Sequence, residues 1–170
     1  YFKIQKIPVY DIKKSKIIPG VIISKDVSHP KMRKKILKPR ILLLDCDIEF
    51  KKGETRSNLE ISKGEQWEKL MKAEEDYEIY ICNVIKKFNP DLIFTEKNVS
   101  DIALHYFYKA NISVIRRIKR SDNNKLSKML GINIVSNIEK IESNEIGEAK
   151  KFSVKKIGDE YYSYIIGYRY

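Results

Sequence analysis

A chain of 170 residues, 42% hydrophobic and 34% charged, has the size and composition of one folded domain rather than a disordered or fibrous segment. No apolar run approaches the roughly 20 residues of a membrane-spanning helix, and two cysteines are too few for a disulfide framework. Thirty-four Lys and Arg against 23 Asp and Glu leave a net charge of +11, which points toward acidic partners or nucleic acid.

The chain carries no secretory signal. It opens at Tyr1 on a strand-like segment and reads as an excerpt of a longer protein. Residues 2–9 alternate up to Pro8, as a strand or edge segment does. GVIISKDV (20–27) is β-branched and opened by Gly20, which predicts a strand. SHPKMRKKILKPR (28–40) is a loop with a proline near each end. ILLLDCD (41–47) is a continuous apolar run, the pattern of a strand buried on both faces. IEFKKGE (48–54) leaves the core and turns at Gly53, and NLEI (58–61) reads as a short strand.

Ser62 and Glu65 have the spacing of a capping box. Apolar residues then recur at helical spacing at Trp67, Leu70, Met71, Tyr77, Ile81, Val84, Ile85 and Phe88, until Pro90 ends the helix. About 25 residues at 1.5 Å each give roughly 38 Å. That is long for a small domain, and the thin apolar content at 72–76 predicts that the first turns overhang the body. DLIFTE (91–96) is a strand, 100–110 a helix and SVIRRI (113–118) a strand. Residues 122–130 form a helix opened by Ser121 or Asp122 and closed by Gly131. INIV (132–135) is a strand, and AKKFSVKKIG with YYSYIIGYR forms a hairpin turning at Gly158-Asp159. The fold class is α/β: a parallel βαβ sheet flanked by helices and a second β-sheet, with a protruding long helix and loop.

The helix at 100–110 is apolar on nearly every side. Only Asp101, His105 and Lys109 form a polar line. A surface helix needs an apolar arc of about 100°, so the excess meets either more protein or a binding partner. A helical wheel puts Val99, Ile102, Ala103, Tyr106 and Ala110 on the core side. Asp101, Leu104, His105, Tyr108 and Phe107 fall on the opposite side.

Three other chemistries are weighed against structural roles. ILLLDCDIEF ends a buried strand in Asp45-x-Asp47, similar to the first motif of haloacid-dehalogenase-type phosphatases. There one aspartate attacks phosphorus, the second handles the leaving-group proton, and both lie near Mg²⁺. Thr95 and Asp159-Glu160 are the matching candidates for its later motifs. Ile48-Glu49 replaces the glycine and small residue of that motif, which removes the turn that presents the nucleophile. Cys46, Cys82, His29 and His105 have no metal-ligand or triad spacing. The basic runs 31–40 and 116–120 lack the aromatic weave of a stacking surface. Abundant Lys, Ile and Asn together also fit AT-rich codon usage. No glycine-rich phosphate loop is present.

DVSHPKM, PRILLLDCDIEFKKGE, TEKNVSDIALHYFYKANI, IRRIKRSDNN and KKIGDEYY, in this order, closely resemble the apical domain of a group II chaperonin subunit, the TCP-1 family of CCT/TRiC and the thermosome. Asn98 stands where that family has glycine; asparagine tolerates left-handed backbone. The resemblance implies that 1–170 is a single substrate-binding domain, with 51–72 a helical protrusion that acts as a built-in lid. Glu54, Leu59, Ile61, Trp67 and Leu70 then belong to the lid. The helix at 100–110 and the loop at 28–36 become client-binding elements, carried by Asp101, Leu104, His105, Phe107, Tyr108, Met32, Arg33, Lys34 and Lys35. Lys31, Arg33, Lys34 and Lys35 would attract acidic client segments. The resemblance further implies non-native protein clients, a hetero-oligomeric double ring of paralogous subunits and a cytoplasmic location. ATP and Mg²⁺ would be handled by parts of the subunit outside this chain, and the domain itself would carry no catalytic residue, cofactor or metal.

Overall fold

In a computed structural model the described residues are 3–8, 11–49 and 64–168. Eight strands and three α-helices follow in the order β1 (Gly20–Ile23), β2 (Lys35–Leu37), β3 (Arg40–Leu44), α1 (Gly64–Lys86), β4 (Leu92–Thr95), α2 (Asp101–Lys109), β5 (Ser113–Ile115), α3 (Arg120–Leu130), β6 (Ile146–Glu148), β7 (Lys151–Ile157) and β8 (Glu160–Ile166). They build two four-stranded sheets, β5-β4-β3-β6 and β1-β8-β7-β2.

The first sheet is mixed. β3 pairs with β4, and β4 with β5, in parallel, while β6 closes the far edge antiparallel. Every residue from Ile41 to Leu44 and from Leu92 to Thr95 is buried, as the continuous apolar runs require. The second sheet is antiparallel throughout, and β7 and β8 form the expected hairpin. Phe94 of the mixed sheet meets Phe152 of the hairpin edge-on, with centroids 6.5 Å apart, so the two sheets share one core.

Several expectations change. Residues 3–8 form no strand; Lys3 is instead tied to Asp122 of α3 at 3.1 Å. β2 lies inside the stretch expected to be a loop, and β6 in residues with no strand signal of their own; three residues of each pair with a neighbouring strand. Ile48 does not leave the core: it is buried and bridges Val99. Of 132–135, only Val135 pairs, with Leu44, since β6 already occupies the start of the same β3 edge. Helix α3 begins two residues early; its N-cap is Lys119, and Asp122 is buried inside the first turn. Gly131 closes it at φ 65° as expected.

Helix α1 ends at Lys86, and Asn89 at φ 53° turns the chain into Pro90. Its second half buries Glu78, Ile81, Cys82 and Ile85 against the body. Trp67, Leu70 and Met71 in its first turns are exposed, in line with the expected overhang, whereas Tyr77, also exposed, lines a cleft against the body. The strand at 58–61, the capping box of Ser62 and Glu65, and the lid residues Glu54, Leu59 and Ile61 lie outside the described residues.

Candidate functional site

Helix α2 starts at Ser100, whose hydroxyl accepts from the Ala103 amide at 3.1 Å. The same hydroxyl donates to Glu78 Oε2 of α1 at 2.6 Å. Asn111, at φ 61°, takes the left-handed position just beyond the helix. The helix is covered on two sides, by the mixed sheet and by α1. Double coverage selects a different buried face from the one the wheel predicts. Ala103, Leu104 and Phe107 are buried, with Leu104 3% and Phe107 0% exposed, and Ile102 is 42% exposed. Leu104 and Phe107 are therefore core residues, and Ile102 joins the solvent face. That face also carries Asp101, His105 and Lys109, with Tyr106 and Tyr108 half-buried at its margins.

The loop at 28–36 lies along the edge of β5. Ser28 N donates to Val114 O at 2.7 Å, Arg116 N to Ser28 Oγ at 3.0 Å, and Ser113 Oγ to Arg33 O at 2.8 Å. These bonds satisfy an edge that would otherwise offer open backbone groups. Met32 belongs to this seal. It is 5% exposed, and its Sδ accepts from the Val114 amide at 3.3 Å, so Met32 is not on the surface. His29 stacks on Tyr108 with centroids 5.0 Å apart and planes at 21°. Loop and helix thereby form one continuous surface, and His105 lies 6.5 Å from the same ring.

The basic residues of the loop divide. Arg33 donates to Asp91 Oδ1 at 3.2 Å and to the Asn111 carbonyl. Lys34 pairs with Asp26 at 2.9 Å and lies over the Tyr161 ring at 4.7 Å. Of the loop's four basic residues, only Lys31 and Lys35 are exposed. Arg116, from the second basic run, donates to the Val99 carbonyl at 2.8 Å and reaches Asp101 at 3.8 Å. Arg33, Lys34 and Arg116 of the two basic runs are thus engaged within the fold.

Asp45 and Asp47 do not assemble a phosphatase site. Asp47 Oδ1 accepts from the Asn98 amide at 3.1 Å, and Asn98 Nδ2 donates to Glu49 Oε2 at 2.6 Å. Thr95 Oγ1 donates to the Cys46 carbonyl. These groups fasten the turn after β4 to the end of β3. Asn98 does this work through its side chain and amide, and its φ is not positive. A cleft of about 320 Å³ beside α1 is lined by Asp47, Glu49 and Glu78 but not by Asp45. Asp159 and Glu160 sit at the turn of the β7–β8 hairpin, in the other sheet, and Glu160 accepts from Tyr162. Among the described residues no three His, Cys, Asp or Glu side chains are grouped to hold a metal ion.

Residues 1–169 match the TCP-1/cpn60 chaperonin family. The T-complex protein 1 gamma subunit of Arabidopsis thaliana is 47% identical, over 98% of this chain and 30% of its own length. That of Schizosaccharomyces pombe is 44% identical, over 98% of this chain and 32% of its own. An open-state monomer of a group II chaperonin from Methanococcoides burtonii superposes with a TM-score of 0.74 at 27% identity, covering 95% of this chain and 34% of that one. The chain spans about a third of the length of these relatives. Together with the two-sheet α/β fold, these matches establish that the chain belongs to the TCP-1/cpn60 chaperonin family and resembles the gamma subunit of T-complex protein 1.

Proposed function

We propose that this chain is the apical domain of a gamma-type group II chaperonin subunit, and that it holds non-native polypeptide on the surface shared by α2 and the loop at 28–36. The observation that carries the reading is the His29–Tyr108 stack, which joins the two elements into one face. Ile102 supplies exposed aliphatic area there, and Asp101, His105 and Lys109 supply charge and hydrogen-bonding groups. Mixed contacts of this kind favour selective recognition over a plain apolar patch.

Burying a whole Ile side chain contributes about 1.5–3 kcal/mol, and Ile102 is already partly covered. One copy of this face therefore binds weakly. Several subunits gripping one client in a ring raise the effective concentration of each further contact and supply the affinity. In this reading the partners are paralogous subunits of a cytoplasmic hetero-oligomeric double ring. The exposed Trp67, Leu70 and Met71 at the start of α1 belong to the lid at 51–72 and find their packing on neighbouring subunits.

Nucleotide chemistry belongs to the remainder of such a subunit. This chain offers no glycine-rich phosphate loop, so its own task is to bind and position. The test is capture of a chemically denatured client by the wild type and by Ile102→Asp. The variant is expected to lose capture while keeping its melting temperature; unchanged capture overturns the assignment of this face.

A further inference from the structure

The second sheet turns one face away from the Phe94–Phe152 contact, and its strand register fixes which side chains stand there. Lys35 of β2 lies opposite Ser153 of β7, which lies opposite Tyr164 of β8, which lies opposite Ile22 of β1. The next row on the same face runs Leu37, Lys151, Ile166 and Gly20. On the other side of the first row, exposed Lys155 stands opposite Tyr162, which is buried, so the face is covered beside Lys155 and open from Lys155 toward Leu37. Alternation puts Phe152, Ile36, Val21 and Ile165 on the opposite, core face. The outer face therefore gathers three lysines from two strands that are distant in sequence.

These lysines differ from the others near them. Lys34, one residue before Lys35, turns to the inner face and is neutralised by Asp26. Lys35, Lys151 and Lys155 form no carboxylate pair among the described residues. Among the strand positions of this face the one carboxylate is Glu160, at the hairpin end, where it accepts from Tyr162. Lys151 and Lys155, four residues apart on one strand, are about 13 Å apart at their Cα atoms, with Lys35 beside the midpoint. The face is apolar between the charges. Leu37 is 70% exposed, and Ile166 lines an open groove of about 490 Å³ with Pro19, Gly167 and Tyr168.

We infer that this outer face is a docking surface for an extended acidic polypeptide segment. Carboxylates on alternate residues of an extended chain are about 7 Å apart, a spacing commensurate with the lysine rows. Apolar side chains of the same segment meet Leu37 and Ile166. Single-stranded nucleic acid fits less well. Stacking needs several open rings, and the half-buried Tyr164 already carries Lys155 at 5.2 Å from its centroid. The surface lies on a different sheet from the one that supports α2; Lys35 also ends the loop of the client-binding reading, so Lys151 and Lys155, which lie outside that loop, are what separate the two.

The test measures binding of a fluorescein-labelled peptide of alternating Glu and Val to the full chain by anisotropy, beside its Gln-for-Glu counterpart and an oligothymidylate of similar charge. One variant combines Lys35→Glu, Lys151→Glu and Lys155→Glu. A second, with Gln at the same positions, carries the test if the first does not fold. A control combines Lys87→Glu, Lys97→Glu and Lys140→Glu, with the same change in net charge. The expected result is salt-sensitive binding of the Glu peptide, weakened about tenfold in the face variant and less than about twofold in the control. Equal weakening in both variants, tighter binding of the oligothymidylate through the same lysines, or no binding at all overturns the inference.

Discussion

Ser100 joins helices α1 and α2 through one hydroxyl: it caps the Ala103 amide and donates to Glu78 at 2.6 Å. Glu78 is buried, so this bond sets how α2 rests on α1 and which of its faces remains open. Ser100→Ala removes both a cap and a charge-assisted bond. A lost cap alone costs about 1 kcal/mol, and the bond to a buried carboxylate adds a comparable amount. The expected fall in melting temperature is about 4–8 °C by calorimetry. Ser100→Asp retains a cap but sets a second carboxylate beside Glu78, and is expected to melt no higher than Ser100→Ala.

Core and surface roles within α2 separate by mutation. Phe107→Ala or Leu104→Ala creates a cavity and costs about 2–5 kcal/mol, read as a large drop in the urea midpoint. Ile102→Ala is expected to cost well under 1 kcal/mol, because the side chain is substantially exposed. If Leu104→Ala leaves the urea midpoint unchanged, the described orientation of the helix is wrong.

The His29–Tyr108 stack couples the loop to the helix. His29→Ala and Tyr108→Ala are each expected to weaken client capture about two- to fivefold. The double variant is expected to be weaker by less than the product, since each single change already breaks the same contact. Fully multiplicative losses would show that the loop and helix act separately.

The two cysteines have different chemistry. Burial, with Glu78 acting in the same direction, pushes the Cys82 thiol up to about 12. An unfolded thiol ionises near about 8.5. Between these values the native chain keeps a proton that the unfolded chain releases. The contribution of Cys82 to stability is therefore complete below about pH 8.5 and declines as pH rises toward 12. Thermal melts between about pH 8.5 and 11 are expected to fall less steeply in Cys82→Ala. That control matters because hydrogen bonds from Tyr162 to Glu160 and from Tyr168 to Glu148 raise both phenols. A thiol reagent is expected to modify the half-exposed Cys46 in the native chain and Cys82 only on unfolding.

Much of the fold was legible where a segment signals through its own pattern. The apolar runs of β3 and β4, the long stripe of α1, the Gly131 cap and the Gly158-Asp159 turn all act locally. β2 and β6 were not legible, because three-residue strands exist only through the neighbours they pair with. The rotation of α2 was hidden for a related reason. A helix apolar on most sides has no single best wheel face, and contact with α1 decides between them. A usable signal was present in Ala103, Leu104 and Phe107, whose i, i+1, i+4 spacing forms a compact apolar stripe. Met32 was equally readable: it is the one apolar side chain among the basic residues 31–35, and such a residue anchors its loop.

The central claim is that client polypeptide rests on the open face of α2 and the adjoining loop. Its most direct test is site-specific photocrosslinking in the assembled chaperonin, with the photoreactive residue at Ile102, at His105, or at Lys87 and Lys140 as controls, and a denatured client added before nucleotide. The account predicts client adducts at Ile102 and His105 and none at Lys87 or Lys140. Adducts of equal yield at all four positions, or none at Ile102 and His105, would contradict it.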